Sequence, residues 1–156
     1  MFCVIILKNG TMIRFIKEIQ GTRDSDNYAT PKKFYDRFNL EFNFNFDPCP
    51  LRSKFNGLLT EWNGNIFCNP PYSNIEPFIR KGLEEIRLFN AKEIVYLIPV
   101  RSDTKYWHEL IMKHADEIRF VKGRLNFNES KSPAPFPVCL VIFKLMGNTG
   151  IKIKTY

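Results

Sequence analysis

Hydrophobic and polar positions change period several times along the 156-residue chain, and each change marks an element. Near the amino end, "FCVIIL" and "MIRFI" flank Asn9-Gly10. An Asn-Gly between apolar runs predicts a two-residue turn, because both central positions need positive φ. Residues 1–20 are therefore expected to form an N-terminal β-hairpin, joined to the rest by the polar "QGTRDSDN". Thr30-Pro31 reads as a helix start, a capping hydroxyl followed by proline in the first turn. Phe34, Tyr35 and Phe38 then supply an apolar stripe at helical spacing. "FNFNF" alternates strictly and predicts a strand ending at Asp47, and "NIFC" predicts a second short strand ending at Asn69.

From Ile75 to Phe89, the residues Phe78, Ile79, Leu83, Ile86 and Leu88 recur in a helical pattern. "EIVYLIPV" is apolar and rich in branched residues, as a strand covered on both faces must be. "TKYWHELIMKH" predicts a helix with Asp103 or Thr104 as its cap, and "EIRFVKG" and "FPVCLVIFKL" predict two more strands. Between those strands lies the proline-rich "RLNFNESKSPAPFP". The order helix, strand, strand, helix, strand, helix, strand, strand predicts an α/β sheet, parallel in the middle with a C-terminal antiparallel hairpin. The chain is expected to be one domain, residues 1–156, with its core in 28–144. In such sheets ligands bind beyond the carboxyl ends of the parallel strands. Four segments follow strand ends here: Asp47 to Pro50, Asn69 to Tyr72, Pro99 to Thr104, and Arg124 to Pro137. The chemically unusual residues thus fall on one rim.

With 44% hydrophobic and 15% aromatic residues, the chain can build a real core. No apolar run reaches the roughly 18–20 residues of a membrane span. "MFCVIILKNG" lacks the basic stretch and cleavage site of a signal peptide. Cys3, Cys49, Cys68 and Cys139 are too scattered for a zinc or redox motif, so no metal site and a reduced, cytoplasmic chain are expected. A formal charge of +7 and a pI of about 9.3 favour polyanionic partners, nucleic acid first.

The most informative tetrapeptide is Asn69-Pro70-Pro71-Tyr72. The Asn69 carboxamide oxygen and the Pro70 carbonyl are both acceptors, and the prolines stiffen the turn that separates them. Accepting both hydrogens of a planar exocyclic amine favours a tetrahedral nitrogen with a localised lone pair, which is a nucleophile. Tyr72 offers a face on which a base flipped out of its stack can rest. The competing reading is a strand-to-helix stop with Tyr72 as packing. Asp47 before proline has its own competitor as a turn residue, Thr30 and Asp103 as helix caps, and Arg101 and Arg124 as solvated surface charges. His108 and His114 lie six apart on one helix and share no face, so neither is a catalytic candidate.

From about Tyr28 to Phe143 the chain resembles the small phage-type DNA adenine-N6 methyltransferases, a group dependent on S-adenosyl-L-methionine. The resemblance is carried, in order, by "YATP", "FNFDPCP", "EWNGNIFCNPPYSNIEPFI", "VYLIPVRSDTKYW", "IRFVKGRLNF" and "APFPVCLVIF". It implies a compact Rossmann-like methyltransferase sheet, double-stranded DNA with its target base flipped as partner, no membrane, and a phage or prophage origin. It implies catalytic roles for Asn69, Pro70, Pro71 and Tyr72. It places Thr30, Pro31, Asp47, Pro48 and Asn69 beside the cofactor, with Phe67 or another rim aromatic against its adenine. Arg101, Arg124 and Lys131 are the candidates for DNA contact. Where the common methyltransferase pattern has glycines after the first strand, this chain reads "DPCPLRSKFNG", its first glycine being Gly57. Cytosine N4, RNA adenine or a glutamine amide presents a similar amine, and a nucleic-acid-binding module without catalysis is the alternative from another class.

Overall fold

The computed structural model describes residues 28–127, 133–147 and 150–156. The expected N-terminal hairpin and Lys131 lie outside them. The described elements are α1 (Lys32–Phe42), β1 (Gly64–Cys68), α2 (Ile75–Arg87), β2 (Ala91–Pro99), a π-helical turn (Trp107–Ile111) running into α3 (Met112–His114), β3 (Glu117–Phe120), β4 (Val138–Lys144) and β5 (Lys152–Thr155). They form a mixed α/β fold around one five-stranded sheet of order β1-β2-β4-β3-β5.

The sheet departs from the expected arrangement in a way its side chains explain. β1 and β2 are parallel, but β4 lies between β2 and β3, antiparallel to both. Two parallel pairs, β1–β2 and β3–β5, therefore flank the antiparallel β4, which takes the middle of the sheet. β4 reads Val-Cys-Leu-Val-Ile-Phe before Lys144, and all six of those residues are buried. A strand apolar on both faces needs covering on both, which a central position supplies. β5, whose four residues are all exposed, takes the outer edge beside β3, where charged side chains discourage further pairing.

Two apolar layers enclose the sheet. Ile94, Tyr96 and Ile98 of β2, with Cys139, Val141 and Phe143 of β4, face α2 and the π-helical turn. The alternate residues Val95, Leu97, Val138, Leu140 and Ile142 face Phe38 and Phe42 of α1. Arg119 of β3 fixes the end of α1, donating through Nη1 and Nη2 to the two carboxylate oxygens of Glu41 at 2.7 and 2.6 Å.

The "FNFNF" strand is largely absent. Phe42 is the last residue of α1, and Asn43 ends the helix in the left-handed conformation (φ 50, ψ 63), its N–H donating to the Asn39 carbonyl. Phe34, Phe38 and Phe42, spaced by four, continue the helical stripe, and that period prevails over the alternation. The extended remnant makes a single parallel bridge, Phe46 to Ile66. That bridge is enough to deliver Asp47 to the rim beside the end of β1. Among the described residues no helix is long and apolar enough to cross a membrane.

Candidate active site

The site is built where three chain segments meet beyond β1. Asn69 follows β1 directly, and the proline pair carries the chain away to Asn74, whose N–H closes the turn on the Pro71 carbonyl at 2.9 Å. The Asn69 carboxamide is fixed from the other side. Its Nδ2 donates to the backbone carbonyl of Tyr28 at 2.5 Å and to the Thr30 hydroxyl oxygen at 3.1 Å. A carbonyl can only accept, so these partners settle which end of the amide is which. Oδ1 then points elsewhere, buried and without a hydrogen-bond donor. A buried acceptor left empty costs about 1–3 kcal/mol unless a ligand fills it.

Thr30 makes no side-chain cap on α1. Its hydroxyl serves Asn69 instead, and Pro31 occupies the cap position, its carbonyl accepting from the N–H groups of Phe34 and Tyr35. Among the described residues Asp103 gives the π-helical turn no side-chain cap. That turn begins after Tyr106, and the Thr104 hydroxyl donates to the Arg101 carbonyl.

Asp47 reaches the same rim. Its Oδ1 accepts the Cys49 N–H at 2.8 Å, a local turn bond that the competing reading anticipated. Burial pushes its pKa up to about 6, the Cys49 N–H only partly opposing the desolvation. The Sγ atoms of Cys49 and Cys68 lie 3.9 Å apart, so the Asp47 loop packs directly against the residue preceding Asn69. Gly57 completes this loop. It is far from Asp47 in sequence, yet a Cβ there would strike the Pro48 carbonyl, and its own carbonyl accepts the buried Trp62 indole N–H at 2.8 Å.

Phe67 belongs elsewhere. It is 1% exposed in the layer beneath α1, its ring against Tyr35 and Phe44. Position 67 points into the core because strand residues alternate, leaving Asn69, two further on, on the same side but at the rim. Rim aromatics come from segments distant in sequence. Tyr28 stacks on Tyr72 with ring centroids 5.0 Å apart and planes at 22°. Phe136 and Phe127 meet Tyr72 edge-on at 5.5 and 6.0 Å. Phe127 and Phe136, the two aromatics of the loop from Arg124 to Pro137, carry no pattern that marks them for the site, and Tyr28 was visible only as the first letter of "YATP". The Tyr72 hydroxyl is buried without a partner, and burial holds its pKa well above the usual tyrosine value.

On the other flank, a cleft of about 510 Å³ is lined by Tyr72, Asn74, Arg80, Arg101, Thr104 and Tyr106, among others. Arg101 is exposed at its mouth and Arg124 is exposed on the loop after β3. The four strand-end segments thus share one rim: Cys49 touches Cys68, Phe127 and Phe136 touch Tyr72, and Arg101 shares a cleft with Tyr72. Among the described residues no group of His, Cys, Asp and Glu could hold a metal ion.

Comparison with known proteins identifies the family. The profile of the family described as DNA N-6-adenine-methyltransferase (Dam) matches residues 19–142. A DNA N-6-adenine-methyltransferase of Haemophilus phage HP1 is 31% identical over 141 residues, covering 78% of this chain and 80% of that protein. A provisionally named RNA methyltransferase from Pyrococcus horikoshii, of known structure, aligns with 74% of this chain and 59% of its own, at 12% identity and a TM-score of 0.42. With the profile spanning most of the chain, and a relative of this identity along most of both lengths, the chain belongs to the DNA N-6-adenine-methyltransferase (Dam) family.

Proposed function

We propose that this DNA adenine-N6 methyltransferase acts on a base swung out of double-stranded DNA, with S-adenosyl-L-methionine as methyl donor and Asn69 as the residue that grips the amine. The carrying observation is the orientation of Asn69. Two acceptors hold its Nδ2, so its Oδ1 is a buried, unpartnered acceptor. An N6 amine supplies the missing donor. The Pro70 carbonyl, one residue on in the same stiff turn, is the second acceptor, and both proline rings limit the turn's freedom to move away. Tyr72 provides the stacking face, with Phe136 and Phe127 against its edge. Catalysis of this kind rests on positioning and on polarising the nitrogen.

The rim residues fit the donor. The cofactor supplies a methyl group on a positively charged sulfur, together with an ammonium and ribose hydroxyls for Asp47 to engage. The Asp47 carboxylate is desolvated but meets only one backbone N–H among the described residues, so it has capacity for a cation or hydroxyl. Pro48 and Gly57 hold its loop, and Thr30 and Pro31 form the opposite side. Arg101, exposed beside the Tyr72 cleft, and Arg124, exposed on the loop after β3, would serve the phosphates on either side of a flipped nucleotide. The Rossmann-like character of the sheet follows from this reading: the parallel pair β1–β2 and the Phe46 bridge carry the cofactor and amine loops at their carboxyl ends.

Nucleoside mass analysis tests the reaction. After incubation with labelled donor and an equal mixture of random duplex DNA and RNA, label is expected in N6-methyladenine from DNA. Label chiefly in N4-methylcytosine, or in RNA, would overturn the assignment.

Asp47 also predicts a pH dependence. In the free protein its pKa lies near 6, above the ordinary 3.8. The protonated form is therefore favoured by folding, and that contribution is complete below pH ~4 and lost as pH rises through ~6. A cofactor ammonium or hydroxyl favours the carboxylate, so affinity for S-adenosylmethionine should rise up to tenfold per pH unit below ~6 and level off above it. Asp47→Asn should flatten this profile while making the cofactor-free protein more stable at pH 7.5, by about 1–3 kcal/mol. Calorimetric titrations between pH 5 and 8, with thermal melts, check both halves.

A further inference from the structure

We infer that the Tyr28 ring closes the target-base site in the free protein and that the incoming base must displace it. The inference rests on the reading of Tyr72 as the stacking face. Tyr28 lies on that face at 5.0 Å and 22°, the geometry of a stacked pair. It also meets Phe136 edge-on at 5.5 Å and 84°, and Phe127 at 5.1 Å and 60°. One planar ring is thus held by a face and two flanking rings, an arrangement that suits a nucleobase equally well. Stacked rings sit ~4.5–7 Å apart between centroids, so 5.0 Å leaves no room for a base between the two tyrosines. The position beside Asn69 is equally specific, because the Tyr28 carbonyl is itself the acceptor that orients the Asn69 amide. Ring and carbonyl have separable tasks. The carbonyl belongs to the backbone and stays when the side chain swings out or is replaced.

The same contacts explain why the ring occupies the site. Tyr28, Tyr72, Phe127 and Phe136 otherwise form an apolar patch open to water, and a ring held by the chain itself covers it. Base binding then competes with this internal ring, and the apparent affinity for DNA is lowered by the fraction of molecules that are closed.

The test is steady-state methylation of a random duplex DNA pool by the full chain, with KM for DNA compared among Tyr28 variants. Tyr28→Ala and Tyr28→Leu remove the plug, and each should lower KM for DNA roughly threefold to tenfold. Tyr28→Phe should match the wild type, and Tyr28→Trp, a larger ring in the same place, should raise KM. Cofactor affinity by calorimetry should stay within about twofold in all four, which also certifies folding. A raised or unchanged KM in Tyr28→Ala with cofactor affinity intact would show the ring to be a fixed wall, overturning the inference. If the small variants do not fold, Tyr28→Trp decides alone, and an unchanged or lowered KM overturns it. The identity of the wild-type product is read separately, so a wrong substrate assignment is distinguishable from a wrong role for Tyr28.

Discussion

Replacing Asn69 by alanine is expected to lower the single-turnover methylation rate by on the order of 10²–10³, with DNA and cofactor still bound. That range is what loss of one preorganised polar group at a reacting centre typically costs. The structure says why binding survives. The carboxamide makes two donations, to the Tyr28 carbonyl and the Thr30 hydroxyl, and both partners are only part-buried, so water can replace Nδ2 at a cost of about 1 kcal/mol. Nothing comparable replaces Oδ1, which is buried and aimed away from those partners. Asn69→Asp sharpens the test. Aspartate keeps an acceptor for the amine, but its second oxygen faces the Tyr28 carbonyl, which can donate nothing. The expected order is therefore Asn, then Asp, then Ala. Single-turnover rates with saturating cofactor measure it, and an alanine variant within tenfold of wild type would remove Asn69 from the chemistry.

The proposed amine grip can be read from four letters because its parts are contiguous. An asparagine, two prolines and an aromatic between a strand and a helix carry their geometry with them. The strands were legible for the same local reason: β2 and β4 are apolar at nearly every position and could only be interior. What failed to show depended on partners distant in the chain. The order of β4 and β3 in the sheet follows from which strand needs two covered faces, a comparison among strands that no single window contains. Phe42 satisfied two periods at once, the helical stripe of Phe34 and Phe38 and the alternation of "FNFNF", and the Asn43 cap kept it in the helix while Phe44 went on in extended chain against Phe67. β5 has no apolar face, so nothing in "KIKT" announces it. Thr30 carried a local capping signal that tertiary structure redirected. Its hydroxyl was worth more to Asn69 across the site than to an N–H one turn away. Gly57 and the ring trio around Tyr72 belong to the same class, since loops bring them together only after folding.

Substituting Gly82 by alanine is expected to destabilise the protein by about 2–3 kcal/mol, although an open helix position would gain about 1 kcal/mol from the same change. Gly82 lies buried in α2, against β2. A Cβ there would overlap the Tyr96 hydroxyl and come within 2.9 Å of Ile94 Cδ1. Tyr96 cannot retreat, since it is fully buried in the interior strand β2 and donates to the Phe78 carbonyl at 2.9 Å. That carbonyl lies one turn before Gly82, so the missing side chain is what lets the phenol reach the helix backbone. Alanine therefore forces either the hydrogen bond to break or α2 to lift from the sheet. Lifting α2 also displaces the turn from Asn69 to Asn74 that leads into it, so activity should fall beyond what the lost stability alone explains. Tyr96→Phe on its own loses one buried hydrogen bond and strands the carbonyl's extra lone pair, at about 1 kcal/mol. In the double variant the hydroxyl that collides with the new methyl is gone. The two changes touch, so their effects should not add. Gly82→Ala with Tyr96→Phe should be at least about 1 kcal/mol more stable than the sum of the singles predicts. Urea melts of the four proteins give this coupling directly. A sum within about 0.3 kcal/mol of the double variant would show that helix and strand do not meet through this hydroxyl.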